Sequence, residues 1–332
     1  MRIALDAMGS DRAPSIEVEG AIGALSSLEG ASQLVLVGDR ERIEAELRQY
    51  PEAPRDRIEI VHAAQQIEMG EAPAQAIRRK PESSIVIGLN LQKQGEVDAF
   101  ISAGSTGAVM AGSLMILRPL PGVDRPAIGA VLPTRAGHTL LVDAGANVDT
   151  RPQNLVQFAH LGTIYAQDLM GRERPRVGLL NIGEEPEKGD ERAVETYHLL
   201  EEQSRLNFVG NIEGRDIIDH RCDVLVCDGF AGNVLLKFYE SVAGFIVGML
   251  RREAGAASAD LDLTRIFQVL DYTEYGGAPL LGVNGVTIIC HGGSPPRAIR
   301  NAIRVATQAV ESNMVQHIQS RLSKLAESQP NA

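Results

Sequence analysis

The chain has no tryptophan, and aromatic residues fill only 4% of its 332 positions. Proteins that hold single-stranded nucleic acid or flat aromatic ligands stack them on exposed rings, so that class is disfavoured. Positive charge is also in deficit: 32 Lys and Arg against 43 Asp and Glu leave a net charge of −11. Such a chain has no general attraction for nucleic acid or anionic lipid, and an anionic partner must be met by a local basic patch. Cysteine is scarce. Cys222, Cys227 and Cys290 are too few and too scattered for a disulfide framework or a zinc cage, and they suit a reducing compartment. The opening MRIALDAMGSD turns acidic at Asp6, where a secretion signal would carry its apolar core.

Familiar catalytic signatures are missing too. No Gly-x-Gly-x-x-Gly is present, which weighs against a standard dinucleotide site. The nearest approach to a phosphate-binding P-loop, Gly183 to Lys188-Gly189-Asp190, lacks both the spacing and the hydroxyl residue. Without a Gly-x-Ser-x-Gly elbow or a His-Glu-x-x-His helix, a serine hydrolase or zinc protease is disfavoured.

What is present is a recurring pattern. Short apolar runs at Ile3–Leu5, Leu34–Val37, Ile58–Val61, Ala99–Ile101, Leu140–Val142, Val177–Leu180, Val224–Val226 and Val286–Ile289 each end in a small-residue loop and lead into a helical pattern. Strands alternating with helices predict an α/β fold of three layers, α/β/α, with a largely parallel sheet. Apolar residues at helical spacing mark helices at Arg40–Gln49 and Ala193–Gln203. A final helix is predicted with Ser294 as N-cap, Pro295 and Pro296 in its first turn, and a stripe of Ile299, Ile303, Ala306, Val310 and Met314. The charge-free stretch Ala99–Leu117 is long enough to span a bilayer, but Ser102, Gly104, Ser105, Thr106 and Gly107 inside it read as strand, turn and helix. No linker or repeat divides the chain, so a single domain over 1–332 is expected. A helical and loop segment around 238–272 protrudes from it. Glu253–Asp260 reads as a flexible loop between the apolar helical patterns Phe238–Leu250 and Leu261–Leu270.

Ligands of open parallel sheets bind beyond the carboxyl ends of the strands. Six loops there are rich in Gly, Ser, Asn and Asp: 6–11, 102–107, 143–147, 181–189, 228–233 and 291–294. Loops such as Ser105-Thr106-Gly107 and Gly292-Gly293-Ser294, at helix N-termini, have the form of anion sites. Six of them on one sheet edge point to a polyanionic substrate. Asp6, Asp143 and Asp228 close three strands, either as helix caps or as positioning groups for a metal or substrate. Lys188 and Lys237 can bind phosphate as point charges or sit as solvated surface groups. His291 follows a strand directly and opens a Gly-rich turn, placed to donate to an oxyanion, to carry a proton, or only to fix the turn. Cys227 and Cys290, also at strand ends, raise a thiol-nucleophile reading against the usual buried one.

The segments LDAMGSDRAP, SAGSTGA, VDAGANVD, NIGEEPEKGDE, GNIEGRD, CDGFAGNVLLK, YGGAPLLGVNG and HGGSPPRAI, in that order from Met1 to about Ala306, together resemble the acyl-acyl carrier protein:phosphate acyltransferases of bacterial phospholipid synthesis. One departure is Ser10, where the family usually has a second glycine. The resemblance implies a fold similar to phosphate acetyltransferase and the isocitrate and isopropylmalate dehydrogenases, and a homodimer; no cofactor or metal is expected. It implies transfer of a fatty acyl group from acyl carrier protein to inorganic phosphate. The acyl phosphate would feed a membrane-bound glycerol-3-phosphate acyltransferase. On position in the loops, His291, Lys237 and Asn233 are the candidate catalytic residues. Asp6, Ser10, Asp11, Ser105, Thr106, Asn147, Lys188 and Asp228 are the candidates for binding phosphate and substrate. Two rivals share the pattern: a metal- and NAD(P)-dependent decarboxylating dehydrogenase using Asp143 and Asp228, and a non-enzymatic scaffold that binds acyl carrier protein.

Two surface expectations follow. Arg297, Arg300 and Arg304 lie on one face of the final helix, and Arg78-Arg79-Lys80 form a second cluster; either can dock an acidic carrier protein. Phe238, Val242, Phe245, Ile246, Met249 and Leu250, ending at Arg251-Arg252, form an apolar helical face. It is expected to be covered by a second copy of the chain, with lipid contact as the alternative. The protein is expected in the cytoplasm, with peripheral contact at the inner face of the cell membrane as the extension of that alternative.

Overall fold

The computed structural model describes residues 1–28, 32–254 and 276–328. In chain order the first elements are β1 (Arg2–Asp6), α1 (Ser15–Leu25), β2 (Gln33–Gly38), α2 (Arg40–Leu47), β3 (Ile58–His62), α3 (Pro73–Arg79), α4 (Ser84–Lys93), β4 (Ala99–Ser102) and α5 (Thr106–Ile116). Next come β5 (Ala127–Thr134), β6 (Gly137–Val142), α6 (Pro152–Asp168), β7 (Arg176–Leu180), α7 (Glu191–Glu201), β8 (Asn207–Ile212), β9 (Val224–Val226) and α8 (Gly229–Ala254). The chain closes with β10 (Ala278–Leu281), β11 (Val286–Ile289), α9 (Pro296–Glu311) and α10 (Met314–Ser328).

The chain falls into two compact units. One joins Met1–Pro126 to Tyr275–Ala332, and the other is Ala127–Glu274. In the first unit the strands run β3-β2-β1-β4-β11-β10. All neighbours there are parallel except β10 against β11. In the second unit the order is β5-β6-β9-β7-β8, with β5 antiparallel to β6 and the rest parallel. Apart from β3 and β8 at the two ends of the strand order, which are partly exposed, the parallel strands are buried along nearly their whole length: Ile3, Leu5, Leu34, Leu36, Phe100, Ile101, Leu140, Leu141, Val224 and Leu225 have no exposed surface. Strands covered by helices on both faces must be continuously apolar, and these are.

All eight apolar runs lie within strands. The stretch Ala99–Leu117 is β4, a turn and α5, with Ala99, Phe100, Ile101, Ala108 and Val109 buried. The final helix departs from expectation in two details. Its N-cap is Pro295, and the helix starts at Pro296, one residue later than a Ser294 cap would give. It also ends at Glu311; Asn313 takes φ 53° and separates α9 from α10, so Met314 opens the next helix instead of closing this one.

The segment proposed to protrude lies partly outside the described residues, as do the loop Glu253–Asp260, apart from its first two residues, and the pattern Leu261–Leu270. What is described of it is α8, of which Gly229–Leu250 is long and apolar enough to cross a membrane. Its face is exposed: Phe238 is 67% and Phe245 63% accessible, with Val242, Ile246 and Met249 exposed beside them. Phe230 and Val234 extend the stripe toward the start of the helix.

Candidate active site

The first unit brings three of the six loops together. Asp6 ends β1 fully buried, and its carboxylate accepts Ser102 Oγ at 2.7 Å and the Met8 amide at 3.0 Å. The Ser102 hydroxyl in turn accepts the Gly104 amide at 3.0 Å. Gly9 lies against this turn so closely that a Cβ would sit 2.6 Å from the Gly104 nitrogen; a side chain there would force the two loops apart. Burial pushes the Asp6 carboxyl up from its ordinary value, opposed by its Ser84, Ser102 and Met8 donors. Asp6 is therefore a brace between two loops, with its oxygens already engaged.

The Ser102 turn leads into α5. Ser105 caps it, its Oγ accepting the Ala108 amide at 3.4 Å, and its carbonyl takes the Val109 amide. The amides of Thr106 and Gly107 are left without an intrahelical acceptor, the condition that makes a helix N-terminus attract anions. Thr106 is exposed and Gly107 partly so.

The third loop is joined to the first by the Asp11 amide, which donates to the Gly292 carbonyl at 2.9 Å. The Asp11 carboxylate lies over Gly292, where a Cβ would come within 2.9 Å of Oδ1. His291 is exposed. Its Nδ1 accepts the Gly293 amide at 3.1 Å, so in the neutral ring the proton sits on Nε2, free to donate outward. The expected anion site at Gly292-Gly293-Ser294 is weakened by the same bonds. The Gly293 amide is spent on His291, the Ser294 amide on the His291 carbonyl, and Pro295 and Pro296 have no N–H. What this loop offers is the imidazole.

The second unit holds its own group. Asp143, at the end of β6, has no exposed surface. It accepts the amides of Ile128, Gly145, Ala146 and Asn147 and the Asn147 side chain. Burial raises its pKa against the pull of those donors. Asn147 is thus committed through its amide and side chain to Asp143, and its carbonyl accepts the Gly229 amide at 2.7 Å. Asp228 caps α8, with Oδ1 accepting the Ala231 amide at 2.8 Å, and its other oxygen pairs with Arg192 at 2.8 Å. The capping role is therefore the one Asp228 fills. Asn233 lies over Gly145, whose φ of 134° and lack of Cβ let the two approach. Lys237 follows four residues later on the same face of α8, exposed. Lys188 is exposed on the loop after β7, its stem across Gly183 and its carbonyl accepting from the Asn181 side chain at 2.9 Å.

The candidates fall into two groups, one per unit. Asp6, Ser10, Asp11, Ser105, Thr106 and His291 belong to the first, and Asn147, Lys188, Asp228, Asn233 and Lys237 to the second. Of these, Thr106, Asp11, His291, Lys188 and Lys237 expose their side chains, whereas Asp6, Asn147 and Asp228 hold loops in shape. The three cysteines are not nucleophiles: all are buried, and burial pushes the thiols of Cys222 and Cys290 up to about 12 and that of Cys227 well above its usual value. Two residues escaped the sequence reading. Arg192 bonds Asp228 and Thr150, and Glu17 is buried beneath Ser10. A signal existed for Arg192, since a cation in the first turn of a helix opposes the dipole and needs carboxylates beside it. Glu17 offered none, since Glu19 two residues on reads the same way in sequence and is exposed.

On the docking surfaces, Arg300 and Arg304 are exposed on α9 and Arg297 is partly buried; Arg78 and Arg79 are exposed on α3. Lys80 is engaged by Glu71 at 2.5 Å and by the Gln66 carbonyl at 2.7 Å.

Comparison with known proteins adds to this. Residues 1–317 match a family model described as fatty acid synthesis protein. A phosphate acyltransferase from Heliobacterium modesticaldum is 50% identical over 97% of this chain and 98% of its own. One from Halothermothrix orenii is 47% identical over 98% and 99%. Among solved structures, a phosphotransacetylase from Streptococcus pyogenes superposes with a TM-score of 0.63 at 19% identity, covering 94% of each chain; that likeness speaks to the fold.

Proposed function

The chain belongs to the phosphate acyltransferases of the fatty acid synthesis protein family, and from that premise we propose that its acyl donor is an acyl-acyl carrier protein thioester and its product an acyl phosphate. A phosphate oxygen attacks the thioester carbonyl carbon, giving a tetrahedral oxyanion. The C–S bond then breaks, the carrier leaves as thiolate, and the new C–O–P linkage is the acyl phosphate. Phosphate is already an anionic nucleophile, and a thiol of pKa ~8.5 is a good leaving group. The enzyme needs to orient the two, worth roughly 7–11 kcal/mol, and to stabilise the oxyanion.

The observation that carries this reading is the side-by-side seating of the α5 N-terminus and His291 on loops tied to one another through Asp6, Ser102 and Asp11. Free amides at Thr106 and Gly107 suit a phosphate, and the His291 Nε2 proton suits a developing oxyanion. The second unit carries anion-binding groups of its own, Asn233 and Lys237 on one face of α8 and Lys188 on the loop after β7. No buried thiol or serine elbow competes for a covalent route. The dehydrogenase alternative asks for arginines free to hold an acid substrate, whereas Arg192 is committed to Asp228 and Asp190.

The proposed setting is cytoplasmic. Two copies would cover the apolar stripe of α8, and peripheral membrane contact would hand the acyl phosphate to a membrane-bound glycerol-3-phosphate acyltransferase. Mixing the protein with acyl-acyl carrier protein and phosphate and trapping with hydroxylamine should give hydroxamate only when phosphate is present. Phosphate-independent product, or none, would sink the assignment of donor and product.

A further inference from the structure

We propose that Glu17 is a positioning residue for the Ser10–Asp11 loop, and that its protonation state sets how well this loop accepts phosphate. The inference rests on the reading above that the loop belongs to the substrate site.

Glu17 stands in the first turn of α1 with no exposed surface, where acidic residues are almost never found unless paired. Its Oε1 accepts the Ser10 amide at 2.8 Å, and the next amide, that of Asp11, donates to Gly292. The loop is thus hung between α1 and the His291 turn. The helix cannot yield. Gly20 sits so near α9 that a Cβ would fall 2.6 Å from Ile299 Cβ and 2.8 Å from the Pro296 carbonyl. Beside the made bond lie two unmade ones: Glu17 Oε2 and Ser10 Oγ are both buried without a hydrogen-bond partner, although the hydroxyl is near enough to draw the carboxyl pKa down.

The titratable groups that face Glu17 are Asp6 from β1 and the Cys290 thiol after β11. From α9, Ile299 and Pro296 meet this part of α1, and the stem of Arg300 lies further along beside Gly23. Burial, with no cation among these neighbours, lifts the carboxyl from 4.5 to about 7. The Ser10 hydroxyl can turn to donate to the ionised Oε2, which is the sense in which it draws the pKa down, but burial outweighs it. Ionised, Glu17 adds a buried negative charge under a loop that already carries Asp6 and Asp11, opposing an incoming phosphate dianion. Phosphate affinity should therefore fall as pH rises through about 7. Stability has the same sign: between 4.5 and about 7 the unfolded chain has released a proton that the folded chain keeps, so stability declines across that window.

The test is the KM for phosphate and the melting temperature of wild type and Glu17→Gln across a pH range bracketing about 7. Phosphate's own ionisation is common to both proteins and cancels in the ratio. The wild-type KM should rise several-fold more than that of E17Q, and only the wild type should lose melting temperature over the lower part of the range. Ser10→Ala, which keeps the amide and deletes the orphan hydroxyl, should move the wild-type inflection to higher pH and serves if E17Q does not fold. Asp11→Asn separates the inference from its premise. An unchanged phosphate KM in D11N would remove the loop from the substrate site and the proposal with it. A raised KM in D11N, with superimposable pH profiles for wild type and E17Q, would overturn the proposal while the site reading stands.

Discussion

Arg192 Nη2 lies 2.8 Å from Asp228 Oδ2, and the same guanidinium reaches Thr150 Oγ1 at 3.2 Å and the Asp190 carboxylate at 3.5 Å. One side chain thereby ties the start of α7, the approach to α6 and the cap of α8, the helix that carries Asn233 and Lys237. Arg192→Met should lower unfolding free energy by about 1.5–3 kcal/mol, the range for hydrogen bonds to charged groups. It should also reduce turnover, because the uncompensated Asp228 would shift the first turn of α8. Arg192→Lys keeps the charge but loses the fork, and should fall between. Denaturant titration and steady-state rates decide it; wild-type values for both variants would make the clamp irrelevant.

His291→Ala and Lys237→Ala should each depress kcat with the fold intact. The His291 ring is exposed with Nδ1 occupied by Gly293, so truncation disturbs one turn and removes one outward donor. Losing a single oxyanion donor typically slows catalysis by ~10²–10³. Lys237 is exposed on α8 and should behave as a phosphate contact, raising the KM for phosphate more than it lowers kcat. Near-normal kinetics in both variants, with unchanged melting, would reduce these residues to loop supports.

Two glycines of α8 make opposite predictions. A Cβ on Gly232 would run into the Asp143 carbonyl oxygen and Cys227 Sγ, so Gly232→Ala should lift α8 off the Asp143 loop and strongly reduce stability and turnover together. Gly244 meets nothing within 4 Å, and Gly244→Ala in the same helix should stabilise it by roughly 0.5–1 kcal/mol. Similar melting temperatures for the two variants would mean that α8 does not pack as described.

The strands were legible because burial on both faces demands continuous apolar runs, and Leu34–Val37 or Leu140–Val142 can be little else. The three that escaped notice explain themselves. β5 contains Gly129 and Pro133, β8 contains Gly210 at φ 92°, and β10 is four residues long with Pro279. Each breaks the apolar pattern or is too short to show one. The site was legible as loops and not as roles. Position alone puts Asp6 and His291 at equivalent strand ends, yet Asp6 is walled in by Ser102 and Met8 while His291 stands exposed. That difference arises from contacts across about a hundred residues or more of chain, between β1 and the turns after β4 and β11, which local pattern does not encode. Long-range packing likewise groups Tyr275–Ala332 with Met1–Pro126, and no shift in composition marks the return.

The last expectation concerns the proposed carrier-protein donor, which is acidic. With a net charge of −11, the long-range field of this enzyme repels such a partner, so encounter depends on a local basic surface. Arg300 and Arg304 qualify, being exposed on α9 while the apolar stripe Ile299, Ile303 and Ala306 is buried behind them. Neither lies in the first turn of α9, so the helix dipole weighs little on them. On α3, Arg78 and Arg79 are exposed, but Lys80 is engaged by Glu71, which makes that cluster the weaker of the two. Arg300→Glu with Arg304→Glu should raise the KM for acyl-acyl carrier protein by about tenfold or more, on the scale of a few exposed charge pairs at up to ~1 kcal/mol each, and leave the KM for phosphate unchanged. The reversal at Arg78 and Arg79 should do less. Raising ionic strength should weaken the wild-type reaction with the carrier substrate, since exposed charges are screened beyond ~10 Å at 0.1 M salt, and should affect the double variant little. If the carrier-substrate KM is indifferent both to salt and to charge reversal at α9, docking is not electrostatic, and the arginines of that helix are solvated bystanders.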